Sequence, residues 1–386
     1  MTIAVVQFIA DPVLGAGTAV KSLALSRALS AAGARTRFIT TDIGLGGHSL
    51  PDLPGVDVTI IPSRVARFPI PRIGSRAMGR LIEGCDAVIL VNHWNLLNAL
   101  AYRAARRHDV PYMLCPSGAL RIQGRSRWLK RFYQLLVGRR LVAKAGALVA
   151  TTQLEAMQFR SDGVPGQRIH VIPNGIDPDP VGMSGEEFRI RRNLPAAPLL
   201  LYMGRFNRIK GPDLLLEAFG QVADRFGDWH LVLAGRDEGL ERELRIRAAA
   251  LGVSARVHFV GHLDRSESTG AYRAASLLVV PSRHEAMSLV ALEGGVTGTP
   301  VLLTDACGFD EVQEADGGRI VSATTRALAD GLTDLLAEPA HLPAMGRRLR
   351  DLAVRQYGWP SVVQQYLDLA RQLRREQLER SRGRGD

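Results

Sequence analysis

The chain has 386 residues, of which 46% are apolar and 23% charged, with three cysteines and a formal net charge of +11. That is the balance of a soluble globular protein, too long for one ordinary domain and suited to two. The three cysteines (Cys85, Cys115, Cys307) are far apart and odd in number, which excludes a disulfide framework and any zinc-ligand spacing. No apolar run reaches the roughly 18 residues that span a bilayer. The excess positive charge sits in the first half. Residues 1–180 hold 22 Lys/Arg against 11 Asp/Glu, residues 181–358 hold 21 against 23, and residues 359–386 hold 6 against 4. A basic half fits either a solvated arginine-rich surface or an anionic partner, nucleic acid or membrane.

The chain opens on a strand, TIAVVQFI, with no basic leader before it and Asp11 soon after it, so a cytoplasmic protein is expected. The loop DPVLGAG leads into a helical pattern from Thr18 to Ala32, stopped by Gly33. RTRFIT, VDVTIIP, DAVILVN and PYMLCP read as strands, with a helix through ALAYRAARR. A long basic helical segment runs from about Ser126 to Lys144, and GALVATT and RIHVIP follow as strands. VIPNGIDPDP and a polar stretch to about Leu194 read as a linker. Beyond it LLLYMG, HLVLAG, VHFVG, SLLVVP and PVLLTD are strands, with helices through GPDLLLEAFGQVADRF and LERELRIRAAALG. Strands alternating with helices make parallel, doubly wound sheets. The expected fold is therefore α/β, with two Rossmann-like domains facing across a cleft. The first covers residues 1–175, with 359–386 crossing back onto it, and the second covers 195–358. The tail is expected to fray beyond about Glu379.

In sheets of this kind ligands bind outside the C-terminal strand ends, and the cleft is the default site. PSRHEAMSLVALEGGVTGTP, residues 281–300, follows the strand SLLVVP on that side. Ser288 can start a helix running to about Thr297, with Gly298 stopping it. Glu285 then lies in the loop, and Glu293 one to two turns into an apolar helix. A buried carboxylate without a partner costs several kcal/mol, so Glu293 has either a protein partner or a ligand. The amides of Met287, Ser288 and Leu289 at the helix start suit a phosphate. YMGRFNRIKG places Arg205 and Lys210 in the loop after another strand, a receptacle for a diphosphate.

These residues carry a resemblance. The pair Glu285 and Glu293 inside PSRHEAMSLVALEGGVTGTPV, the MGRFNRIKG loop, VIPNGID, FVGHLD and WPSVVQQY resemble, in this order and over nearly the whole chain, the family 4 retaining glycosyltransferases of GT-B architecture. The resemblance implies that Arg205 and Lys210 bind the donor diphosphate and stabilise the leaving group, with Gly204 in the same turn. It implies Glu285 beside the donor sugar, Glu293 on the ribose, and main chain near Gly261, His262 and Leu263 flanking the base. It places Gly15 and Gly17 near the phosphates or the sugar. Family members carry a histidine in a Pro-His-Gly turn where this chain has Ser117, and a Phe-Gly pair where it has Met287 and Ser288. His93, ending the strand VILVNH, and Ser117 are candidates for the sugar or acceptor.

The resemblance further implies hexosyl transfer with retention, through a front-face, oxocarbenium-like reaction. The donor is a UDP- or GDP-sugar, and the acceptor a lipid-linked or growing cell-surface saccharide. No cofactor and no metal are expected; Asp177-Pro-Asp179 reads as a hinge. The basic segment, with Trp128, Phe132 and Tyr133 interleaved, suits an anionic membrane face or a partly buried helix with solvated arginines. The alternatives are a nucleotide-sugar epimerase of the same architecture and a non-catalytic basic scaffold; the motif residues argue against nucleic acid.

Overall fold

The computed structural model describes residues 1–11, 14–46, 50–64, 70–118, 120, 127–285 and 287–382. The chain divides into two compact units, Met1–Gly175 with Trp359–Asp386, and Ile176–Gly358.

Unit 1 runs β1 (Thr2–Ile9), α1 (Ala16–Ala31), β2 (Arg35–Thr41), β3 (Val56–Ile61), the short antiparallel pair β4 (Ser63–Arg64) and β5 (Ile70–Pro71), then α2 (Ser75–Ile82) and β6 (Ala87–Val91). It continues with α3 (Leu96–Arg107), β7 (Tyr112–Cys115), α4 (Arg127–Tyr133), α5 (Arg139–Ala143), β8 (Ala147–Ala150), α6 (Gln153–Ser161) and β9 (Ile169–Val171). Seven strands form one sheet in the order β3-β2-β1-β6-β7-β8-β9, and every pairing in it is parallel. The run AVILV of β6 is buried at every position, as a strand covered on both faces requires. The strand order reverses between β1 and β6, so the loops after those two strands flank the switch point where such sheets take ligands.

Unit 2 runs α7 (Gly185–Arg191), β10 (Leu199–Met203), α8 (Pro212–Val222), β11 (His230–Ala234), α9 (Glu241–Ala250), β12 (Val257–Gly261), α10 (Arg265–Ala274) and β13 (Leu277–Val280). It ends with α11 (Leu289–Val296), β14 (Val301–Thr304), α12 (Glu311–Glu314), β15 (Gly318–Val321), α13 (Thr325–Ala337) and α14 (Leu342–Tyr357). Its six parallel strands are ordered β12-β11-β10-β13-β14-β15, with the switch between β10 and β13. The last helix, α15 (Trp359–Arg382), returns to unit 1, where Trp359, Val362, Tyr366 and Leu373 join the core under α1 and the sheet. No described helix is long and apolar enough to cross a membrane.

Four sequence expectations change. The first helix begins at Ala16, with Gly15 as its N-cap, so Gly17 lies in its first turn and not in a loop. Residues 176–194 are not a free linker. Ser184 and Glu187 form a capping box that starts α7. Phe188 is buried with Ala271 and Tyr272 of α10, and Arg189 donates to the Ala274 carbonyl at 2.8 Å. The basic helical segment is broken by a π turn, Gln134–Gly138, between α4 and α5. The final helix stays regular to Arg382, past Glu379.

Candidate active site

Strand order makes the site in unit 2. Because β10 and β13 are neighbours, the loop after each lies beside the other although the two are some 75 residues apart in sequence, as the Lys210–Glu285 separation shows. Gly211 shows how close they are. Its φ is +70°, and a Cβ there would stand 2.0 Å from the Pro281 carbonyl oxygen, so only glycine fits. The Arg283 amide donates to the Ile209 carbonyl at 2.7 Å, and the Arg283 guanidinium grips both oxygens of Asp213 at 2.9 and 2.7 Å. These bonds lock the two loops together before any ligand arrives.

On this frame Lys210 Nζ meets Glu285 Oε1 at 2.8 Å; the lysine side chain is 26% exposed and the glutamate 8%. Ser282 Oγ donates to the same oxygen at 2.5 Å. Glu285 does not cap the following helix. Ser288 does, its Oγ accepting from the Ala291 amide at 3.2 Å. Arg205, more than half exposed, donates to Glu238 Oε1 at 2.8 Å. Both expected diphosphate cations thus hold a carboxylate in the ligand-free chain.

The helix start is partly committed. The Ser288 amide donates to the Cys307 carbonyl at 3.0 Å, so of the three amides expected to face a phosphate only Met287 and Leu289 stay candidates. Met287 buries its side chain. Of the two options open for Glu293, a protein partner is present: Tyr272 Oη donates to its Oε2 at 2.7 Å. Burial pushes the Glu293 carboxyl above its usual range, against the opposing pull of the Tyr272 hydroxyl and the Arg265 charge. One neutral donor satisfies one carboxylate oxygen, and the pull of Arg265 does not outweigh the cost of burial. Gly204, after β10, donates to the Ala234 carbonyl at 2.9 Å. His262 is exposed after β12, whereas Leu263 points into the core. Asp177 of the expected hinge is engaged by Arg265. Among the described residues no three His, Cys, Asp or Glu side chains converge as a metal site.

In unit 1 the candidate residues range from exposed to buried. A Cβ on Gly15 would lie 2.6 Å from both Ala19 Cβ and the Ile9 carbonyl oxygen, so close packing of α1 on β1 demands that glycine. Gly17 is exposed. His93 is fully buried, which removes it as a surface contact for sugar or acceptor. Its Nε2 lies 3.1 Å from Gln134 Oε1, and its ring packs edge-on against Trp94 and Tyr133; burial lowers its pKa. The π turn is what carries Gln134 to that position. Ser117 takes a left-handed φ of 51°, and its Oγ is buried without a partner. The next amide, Gly118, donates to Glu155 Oε1 at 2.7 Å, while Glu155 Oε2 accepts from the Thr151 amide and hydroxyl at 2.7 and 2.9 Å. Glu155, Glu238 and Tyr272 escaped the sequence reading. The Thr-x-x-Glu cap at 152–155 and the acidic pair after HLVLAG were the available signals.

Two family models match, the "glycosyl transferase 4-like domain" over residues 15–175 and "glycosyl transferases group 1" over residues 185–351. A D-inositol 3-phosphate glycosyltransferase of Xylanimonas cellulosilytica is 30% identical over 92% of this chain and 91% of its own length. The chain belongs to the family 4 glycosyltransferases, of GT-B architecture. A second such relative, from Geodermatophilus obscurus, is 35% identical over 54% of this glycosyltransferase and 49% of its own length. Among solved structures, sucrose-phosphate synthase from Thermosynechococcus elongatus shares the fold at TM-score 0.76 and 24% identity, covering 97% of this chain and 99% of its own. The Anabaena protein HepE in complex with UDP does so at TM-score 0.76 and 17% identity, over 95% of this chain and 99% of its own. The epimerase and scaffold readings give way to a transferase.

Proposed function

We propose that this glycosyltransferase moves a hexosyl unit, with retention, from a nucleoside-diphosphate sugar to a lipid-linked or growing cell-surface saccharide. The observation that carries the reading is the Lys210–Glu285 pair at the switch point of the unit 2 sheet, with Arg205 in the same loop. Two cations there meet the charge that grows on a departing diphosphate, and stabilising such charge is usually the largest catalytic contribution. The Met287 and Leu289 amides add to it, so the reaction needs no divalent metal. Glu285, held by Lys210 and Ser282, faces the donor sugar. Glu293, with one oxygen on Tyr272, takes the ribose hydroxyls. Gly204 and the main chain at His262 and Leu263 border the nucleotide, Gly15 and Gly17 belong to the donor phosphates or sugar, and Ser117 to the sugar or acceptor.

The acceptor reading draws on unit 1. Trp128, Phe132, Leu135 and Leu136 are 56–70% exposed along one helical segment. Arg131, Arg139, Arg140 and Lys144 are exposed with them. Tyr133, Val137 and Val142 of the same segment are half-buried and Leu141 is buried, so the helix is also partly packed on unit 1. Apolar side chains fringed by cations suit an anionic bilayer surface, where a lipid-linked acceptor resides. The names of the relatives favour a second reading, a phosphorylated cyclitol as acceptor.

The test is a melting screen of the purified chain against UDP-, GDP- and ADP-sugars, followed by transfer assays in EDTA. A donor at a hundred times its Kd adds about 2.7 kcal/mol. Transfer to a lipid-linked saccharide on anionic vesicles supports the first reading, and transfer to inositol phosphate in free solution the second. A chain that no donor stabilises, or that transfers only when magnesium or manganese is restored, overturns the donor site as described.

A further inference from the structure

The loops after β10 and β11 are bound side by side. The Gly204 amide reaches the Ala234 carbonyl, the Phe206 amide donates to the Arg236 carbonyl at 2.8 Å, and Phe206 and Asp237 form a parallel bridge. A Cβ on Gly235 would stand 1.8 Å from the Gly204 carbonyl oxygen, so the approach tolerates nothing larger. Two acids stand in this second loop, and they do different work. Asp237 Oδ1 accepts from the amides of Gly239, Leu240 and Glu241 at 2.8, 2.9 and 3.0 Å, which starts α9. Glu238 takes no part in that cap. It spends one oxygen on Arg205 Nη1 at 2.8 Å and the other on Asn207 Nδ2 at 2.6 Å. Asn207 in turn closes the loop, its Oδ1 accepting from the Lys210 amide at 3.0 Å.

From this we infer that Glu238 is a positioning residue: it fixes the Arg205 guanidinium and, through Asn207, the turn that carries Lys210, so that both cations are in place before the donor diphosphate binds. A stability role explains the arrangement poorly. Arg205 is 55% exposed and Glu238 36%, and an ion pair in that setting contributes little to folding. What it does contribute is order. An arginine side chain loses much rotamer freedom when it grips a ligand, and a carboxylate that already holds one guanidinium nitrogen removes part of that loss in advance. Glu238 leaves the other guanidinium nitrogens of Arg205 for the diphosphate. The hydrogen bonds from Asn207 and Arg205 also hold the Glu238 carboxyl below its usual range, so the grip persists well into mildly acidic solution.

The inference rests on the donor site proposed above, and a double-mutant cycle separates the two. Binding of UDP and GDP is measured by calorimetry for the wild type, Glu238→Ala, Arg205→Ala and the double variant, with a melting curve of each. We expect Glu238→Ala to weaken binding of the preferred nucleotide about tenfold, within the range found for contacting residues, and to cost clearly less once Arg205 is gone, the remainder being the share carried through Asn207. Its melting curve stays that of the wild type. Glu238→Gln, which still offers Arg205 an acceptor oxygen, falls between. An equal loss in both backgrounds shows that Glu238 does not act through Arg205 and overturns the inference. So does tighter binding by Glu238→Ala, which makes the carboxylate a competitor of the diphosphate. If Arg205→Ala leaves nucleotide affinity unchanged, or if the wild type binds neither nucleotide, the donor site itself fails and the inference falls with it.

Discussion

The two sheets share one plan, a parallel array whose strand order reverses near its middle, yet they treat the polar groups at that reversal in opposite ways. In unit 2 the charges sit in partly exposed loops, and each is held by a partner on a neighbouring element: Arg205 by Glu238, Lys210 by Glu285, and Arg283 by Asp213 in the first turn of α8. In unit 1 the polar groups are buried, and several lack partners. Lys21 Nζ, Gln7 Oε1, Ser117 Oγ and His93 Nδ1 are enclosed with no hydrogen bond among the described residues. Burial pulls the Lys21 ammonium below its usual range, with Cys115 and Glu155 acting in the opposite direction. Exposed pairs can exchange a protein partner for a ligand at small cost, which suits a site that binds and releases. Enclosed groups instead fix one backbone arrangement, which suits a wall of constant shape.

The largest effect that can test this contrast is on folding. Glu155 is 4% exposed and binds Gly118, Thr151 and the Thr151 hydroxyl together. Glu155→Ala leaves the Thr151 amide and hydroxyl buried and unsatisfied, frees the Gly118 amide, and removes a charge that opposes the desolvation of Lys21. The expected loss is about 3 kcal/mol or more of unfolding free energy, with nucleotide affinity in unit 2 unchanged. A denaturant midpoint equal to that of the wild type breaks the comparison.

Next comes a change with both signs in it. Lys210→Met strands the Glu285 carboxylate, which is 8% exposed and keeps only Ser282, so stability and turnover both fall. Adding Glu285→Gln removes the stranded charge. The double variant should regain the melting midpoint of the wild type but not its rate, since one lost electrostatic contact in a transition state costs about 3 kcal/mol, a hundredfold or more. Recovery of the rate along with the stability makes the pair structural and nothing else.

How far the sequence could be read follows the same division. The strands were legible because fully buried parallel strands are continuous apolar runs, as in AVILV and LLLYM. The helix after Glu285 was legible because Ser288 is a strong cap and Gly298 a strong stop. The candidate cations and carboxylates were legible as motif positions. Their partners were not. Glu238 lies 33 residues from Arg205, and Tyr272 lies 21 from Glu293. Nothing local pairs them; only the order β12-β11-β10-β13, and the packing of α10 beside α11, brings them together. Gly17 was misplaced because glycine reads as a loop, whereas α1 closes its first turn around Gly15. His93 stayed open between a sugar or acceptor contact and a structural histidine, because a histidine at a strand end looks the same in sequence whether it is covered or not; here Gln134, Trp94 and Tyr133 cover it.

The smallest expected effect is also the sharpest, because Glu293 is where the two regimes meet: a carboxylate at the proposed donor site, yet enclosed. Its folded pKa is raised, chiefly by burial. A carboxyl of this kind favours the folded state fully only while it is protonated in both states. Above the ordinary glutamate range the unfolded chain ionises freely and the folded chain does not, so stability falls as pH rises through the folded pKa and stays lower beyond it. Glu293→Gln has no such term. Tyr272 can still donate to the amide oxygen, and the desolvated charge is gone. The melting midpoint of the variant should therefore match that of the wild type in acid and equal or exceed it at neutral pH, in the absence of donor. Donor binding should move the other way. Charge-assisted bonds to two ribose hydroxyls become neutral ones, and affinity falls about tenfold, or 1.4 kcal/mol. Two melting curves and one binding isotherm decide the matter. A variant that melts well below the wild type at neutral pH while binding nucleotide as tightly would show that Glu293 serves the fold through Tyr272, and that the enclosed, structural regime of unit 1 extends into the donor site as well.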